Sequence, residues 1–251
     1  MSTRDPSVHG PRIVVTLAVA ADHAQSDLAA RRNDLYVAAL ERHGAEPVRL
    51  DVLTPAAVRK NALQSMDGLL LSGGTDIHPS RYGQSVHGSR EIESDRDELE
   101  ATAWAVAKSQ QVPVLGICRG LQAINVFSGG SILQHVEGHA GPTWSTGPAV
   151  THPLRLVPGT RLAALLGEAD TLEVNAYHHQ GIREADLAPG LRPAAWADSA
   201  AGALVEGLEG TEEWFVIGVQ CHPERTESTP EVFERLFAAF VGAASSRAAI
   251  G

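Results

Sequence analysis

The chain has 251 residues, 43% of them hydrophobic, enough for a sizeable core in one α/β domain and too many for a disordered chain. Its 20 Lys and Arg against 30 Asp and Glu leave a formal charge of −10, which speaks against nucleic acid or an anionic membrane as partner, since both need basic patches. No apolar run reaches the roughly 20 residues of a membrane helix, the polar start (residues 1–11) reads as a flexible tail without a leader core, and two cysteines make no disulfide framework, so a reducing cytoplasm is expected.

In chain order, Ile13 to Ala20 reads as a strand, and Asp27 to Arg42 as a helix with Leu28, Leu35, Ala38 and Ala39 near helical spacing, stopped by Gly44. Glu46 to Leu50 and Asp67 to Leu71 are short strands, the latter closed by Ser72-Gly73-Gly74. Thr75 to Arg90 is a loop, and Ser94 with Asp97 resembles a capping box opening a helix to about Ser109. Val112 to Ile117 is a strand and Leu121 to Phe127 a helix. Strands alternating with helices predict a mainly parallel sheet covered on both faces. After Gly129 come short strands at 132–136, 154–157, 172–174, 191–196, 203–208 and 214–220, so part of this half is expected to be antiparallel. Pro230 to Val241 is a closing amphipathic helix, and His135 to Val150, rich in Gly, Pro and Thr, is the expected mobile loop.

The sharpest motif is Gly116-Ile117-Cys118-Arg119-Gly120, a strand running through a tight turn into a helix. Glycines on either side leave room at such a turn, and the helix dipole would favour a thiolate at Cys118, with the Arg119 N–H facing a developing oxyanion. A cysteine met in isolation is more often a small buried apolar residue. The strand-to-helix frame favours a nucleophile, and by itself leaves α/β-hydrolase relatives open.

The segment Gln220-Cys221-His222-Pro223-Glu224 ends a second strand. Pro223 keeps His222 extended, and residues two apart share a side, so His222 can reach the thiol while Glu224 bonds its other ring nitrogen. The order Cys, His, Glu differs from the nucleophile, acid, His order of the α/β-hydrolases.

These residues resemble the class I glutamine amidotransferase-like superfamily. Together with Leu70-Leu-Ser-Gly-Gly-Thr-Asp-Ile-His-Pro-Ser-Arg-Tyr-Gly83, Asp95-Arg96-Asp97 and Val174-Asn-Ala-Tyr-His-His-Gln180, they resemble more narrowly the γ-glutamyl-γ-aminobutyrate hydrolase family, peptidase C26. The resemblance implies one domain over residues 12–251 with a flavodoxin-like three-layer α/β/α fold, a mostly parallel central sheet and a smaller antiparallel extension. It implies that Cys118 attacks a γ-glutamyl carbonyl to give a thioester, that His222 moves the proton and that Glu224 orients it. It also implies an oxyanion hole from the N–H groups of Gly74 and Arg119, and substrate contacts at Gly73, Gln122 and His178. Two departures stand beside the pocket: Cys221 where Trp is common, and Ser72 where Pro is common.

The expected reaction is hydrolysis of a γ-glutamyl amine, such as γ-glutamyl-γ-aminobutyrate from polyamine breakdown, with a glutaminase subunit feeding a partner synthetase as the alternative and an inactive binding module as a third reading. No cofactor is expected. The His178-His179 pair invites a metal, but no Cys/His ligand spacing accompanies it, so none is expected. Asp95-Arg96-Asp97 reads as a solvated helix start. The expected partner is the small γ-glutamyl substrate, with a homodimer left open.

Overall fold

The protein is described as a computed structural model over residues 10–19, 23–139, 149–167 and 171–249. The N-terminal tail to residue 9 and residues 140–148 of the expected mobile loop lie outside these.

A single nine-stranded sheet carries the fold. Five strands, β1 (Arg12–Thr16), β2 (Glu46–Leu50), β3 (Gly68–Leu71), β4 (Val114–Ile117) and β9 (Val216–Val219), run parallel in the order β2-β1-β3-β4-β9. From β9 the sheet continues antiparallel through β8 (Gly202–Gly210), β7 (Leu191–Ser199), β5 (Val150–Leu156) and β6 (Leu172–Ala176). The eight pairings divide into four parallel and four antiparallel, so the mainly parallel sheet expected from the sequence is a mixed one. The reason is local: β7 and β8 are joined by the two-residue turn Ala200-Ala201, with Gly202 at φ 97, and so short a link allows only antiparallel pairing.

Alternation within the parallel strands feeds two apolar layers. Ile13, Val15, Leu70, Leu115 and Ile217 pack with α1 (His23–Glu41) and α6 (Glu234–Ala248), while Val14, Leu69, Leu71 and Val114 pack with α2 (Ala56–Gln64), α3 (Ser94–Gln110) and α4 (Arg119–Phe127). Burial on both faces is why these strands read as continuous apolar runs.

Three local expectations are corrected. Residues 132–136 form no strand; only Leu133 bridges to Gly181, and Gln134 spends its amide on the backbone of residues 85–89. The helix α2 and the six-residue α5 (Arg161–Leu166) were not foreseen, the latter capped by Thr160 Oγ1 and stopped by Gly167 at φ 92. At the start of α3, Ser94 makes no cap and Asp97 is turned inward to other partners.

Candidate active site

The neighbouring strands β3, β4 and β9 are parallel, so their C-terminal ends open on one edge of the sheet. That is where open α/β sheets hold their ligands. This alone places Gly73-Gly74, Cys118 and His222 side by side. The Cys118 N–H still donates to the Val219 carbonyl at 2.8 Å, so the elbow stays tied to β9 one residue beyond the ladder.

Cys118 itself carries the strain of the elbow, at φ 54 and ψ −107, a conformation costing about 1–3 kcal/mol in a non-glycine residue. The flanking glycines serve contact more than torsional freedom. A Cβ on Gly116 would stand 2.6 Å from the Gly120 carbonyl, and one on Gly120 would run into the Leu71 carbonyl oxygen. Without side chains there, α4 folds back onto β3 and β4. Cys118 immediately precedes the first residue of α4, where backbone N–H groups have no intrahelical acceptor.

The His222 ring and the Cys118 side chain both lie against the Gly73 backbone, and His222 Nδ1 lies 2.7 Å from Glu224 Oε1. Burial works against a charge on His222, but Glu224 and Cys118 outweigh it and raise its pKa to about 9. Two residues hold this imidazole that the sequence reading gave no role. Asn175 accepts from the His222 N–H at 2.8 Å and donates to the His222 carbonyl at 3.1 Å, clamping its backbone from β6. The Tyr36 hydroxyl, on α1, accepts from the Gly73 N–H at 3.1 Å and lies 3.4 Å from His222 Nδ1. Asn175 was visible within the Val174–Gln180 motif; Tyr36 gave no sequence signal beyond helical spacing. A Cβ on Gly73 would stand 2.7 Å from the Tyr36 hydroxyl and 2.8 Å from His222 Cε1, so only glycine lets this backbone lie against the ring.

Behind the elbow lies an ionic cluster. Arg119 Nη2 donates to Asp97 at 2.6 Å and Arg119 Nη1 to Glu100, while Arg96 Nε donates to Glu100 at 2.9 Å. Arg96 Nη2 also reaches the carbonyls of Ser72 and Gly73 and the Ser72 hydroxyl. Arg96 and Asp97 are 0% exposed, which overturns their reading as a solvated helix start; Asp95 alone of the three is exposed. Burial works against the Glu100 charge, but two arginines hold its pKa below the usual range; Asp97 has one close arginine, and there burial wins and raises it. The cluster joins the Gly73 loop to the nucleophile turn. Ser72, where proline was the expected pattern, supplies an acceptor to it.

The other residues singled out from the sequence are placed as follows. Gln122 is buried on α4 and donates through Nε2 to Gln220 Oε1 at 3.1 Å. Gly74 packs against Arg96, where a Cβ would collide with the guanidinium. Cys118 and Cys221 are both free thiols, and Cys221 sits in the core with its pKa pushed up by burial. His178 is buried on the connection from β6 to β7. Its Nδ1 bonds the Gln180 carbonyl at 2.8 Å, and its Nε2 lies 3.6 Å from Glu206 Oε1, in a cluster with His139 and His152. Burial brings His178 down to about 3 and Glu206 up to about 8.

A family model described as Peptidase C26 matches residues 13–224. The protein NtpR of Enterococcus hirae is 35% identical over 216 residues, covering 82% of this chain and 86% of that protein. The gamma-glutamyl-gamma-aminobutyrate hydrolase PuuD of Escherichia coli is 30% identical over 220 residues, covering 83% and 84%. Among solved structures, the glutaminase domain of Trypanosoma brucei CTPS with bound acivicin aligns at a TM-score of 0.65 and 16% identity, covering 94% of each chain, a likeness of fold.

Proposed function

The chain belongs to the peptidase C26 family and is an amide-bond hydrolase, and from that premise we propose that it cleaves the γ-glutamyl amide bond of a γ-glutamyl amine through a thioester on Cys118. The observation that carries the reading is the meeting of Cys118 and the Glu224-bonded His222 beside Gly73, at the mouth of three parallel strands.

In this reading the Cys118 sulfur attacks the γ-carbonyl carbon, and the oxygen takes the negative charge opposite the N–H groups of Gly74 and Arg119. His222, charged at neutral pH, gives its proton to the amine nitrogen as the C–N bond breaks. The thioester and a neutral imidazole remain. A water then loses a proton to His222 and attacks the thioester, releasing glutamate and freeing the Cys118 sulfur with the proton again on His222. Glu224 and Tyr36 fix the ring, and Gln122 and Gly73 line the glutamyl side. The order β2-β1-β3-β4-β9 also supports a flavodoxin-like core with antiparallel strands added at one edge.

The test is a panel of γ-glutamyl amides, including γ-glutamyl-γ-aminobutyrate and glutamine, with amine and glutamate measured directly. Release from at least one γ-glutamyl amine is expected, with Cys118→Ala slower by about 10⁴-fold or more. Silence on every γ-glutamyl amine, with glutamine hydrolysed only when a second protein stimulates it, would instead establish a glutaminase subunit.

A further inference from the structure

Four side chains that are far apart in the sequence meet in the antiparallel half of the molecule. His139 follows the Leu133 bridge, His152 lies on β5, His178 on the connection from β6 to β7, and Glu206 on β8. One donor atom from each lies within 4.8 Å of all the others. His139, His178 and Glu206 are buried, and His152 partly so.

What sets the cluster apart is the direction of its unused atoms. His139 Nδ1, His152 Nε2, His178 Nε2 and both Glu206 carboxylate oxygens are buried without a hydrogen-bond partner among the described residues. Native interiors leave very few such groups, and each calls for an explanation. The remaining ring contacts are ordered the other way. His178 Nδ1 bonds the Gln180 carbonyl at 2.8 Å and His152 Nδ1 the Pro153 carbonyl at 3.2 Å. A ring nitrogen that donates to a carbonyl leaves its twin as a bare lone pair, which is how proteins orient imidazoles around a metal ion.

We propose that His139, His152, His178 and Glu206 bind one divalent transition-metal ion, zinc by preference, in a tetrahedral site that is structural. A tetrahedral ion with bonds of about 2.0–2.1 Å sets its donors roughly 3.3 Å apart. Two pairs are already near that, His152 Nε2 to Glu206 Oε2 and His178 Nε2 to Glu206 Oε1, both at 3.6 Å. The widest separation has to close by roughly 1.5 Å. Three neutral imidazoles and one carboxylate are the donors a borderline-soft ion takes, and alkaline-earth ions disfavour them. Four protein ligands leave no open coordination position, the mark of a structural site.

Bound there, the ion joins the 139 loop, β5, the 178 segment and β8. The Glu206 carbonyl accepts from the Gln220 N–H at 2.8 Å, two residues before His222, so the ion braces the strand end that carries the base. The proposal is independent of which amide is cleaved.

The experiment uses full-length protein stripped with a chelator and titrated with Co²⁺ alone. One equivalent is expected to give the visible d–d bands of a tetrahedral N/O site, to raise the melting temperature, and to be displaced by one equivalent of Zn²⁺. Glu206→Gln and His178→Asn should each weaken binding at least tenfold while keeping the parent's circular dichroism. His152→Asn, at the partly exposed rim, serves if either fails to fold. His135→Ala, at the separate His135–His179 pair, should leave the titration unchanged. The proposal is overturned if the folded parent takes up no Co²⁺, if binding survives in both Glu206→Gln and His178→Asn, or if His135→Ala abolishes it.

Discussion

The molecule buries two groups of ionisable side chains, and they are built on opposite terms. In the parallel half, Arg96 and Arg119 face Asp97 and Glu100, so each carboxylate meets a guanidinium and the charges are neutralised within the protein. In the antiparallel half, three imidazoles and Glu206 face one another with no arginine or lysine paired to them among the described residues. The first group balances its charges as it stands, and removing a member leaves a buried charge short of a partner. The second has no positive partner among the described residues, and removing its one carboxylate relieves it. Burial costs the same in both halves; what differs is whether the sequence itself provides the counter-charge.

The largest effect expected from this contrast is at Glu100. Glu100→Ala should cost about 3–5 kcal/mol in urea unfolding, because it removes the carboxylate paired with buried Arg96 and one of the two paired with buried Arg119. A loss below about 1 kcal/mol would mean that the two groups are not different in kind.

The His222–Glu224 pair sharpens the comparison as a third buried pair, whose charge has to change during turnover. With His222 raised to about 9, the charged form that protonates the leaving amine persists through neutral pH, and kcat/KM should fall as pH rises through about 9. Glu224→Gln should bring that alkaline limb to lower pH and slow turnover by about 10²-fold or more, since the raising influence of the carboxylate is gone. An unmoved limb would assign it to another group.

The smallest effect belongs to Glu206. In chelator-treated protein, Glu206→Gln should leave unfolding stability within about 1 kcal/mol of the parent, or above it, because no arginine or lysine is stranded. A loss as large as that at Glu100 would show that Glu206 already has a cationic partner in the metal-free fold.

The elbow and the His-Pro-Glu segment were legible because both are contiguous: local spacing, two glycines and a proline carry the geometry. The parallel strands were legible for a related reason, since burial on both faces leaves unbroken apolar runs. The ionic cluster was misread because Asp95, Arg96 and Asp97 are the residues of any exposed helix start; only the fold turns two of the three inward. Asn175 stood in a motif without a role, and Tyr36 lay in the first predicted helix with no motif around it. The His139–Glu206 cluster was invisible to a search by ligand spacing, because its members are scattered over 68 positions and meet only once β5 and β8 share a sheet. The balance of parallel and antiparallel pairing was overestimated on the parallel side because short apolar runs do not reveal their direction.

The strand β9 pairs with β4 on one side and β8 on the other, and it comes last in sequence of the nine described strands. During synthesis, then, everything up to β8 can settle as two separate partial sheets, each with an open edge, β4 on one and β8 on the other. Four residues, Val216–Val219, close both edges at once. Until they emerge, the nascent chain exposes two templates for pairing with other chains. The segment that ends this hazard is also the one that delivers His222, so a half-made molecule holds a bare thiol with no base beside it, and reactivity arrives only with the finished sheet.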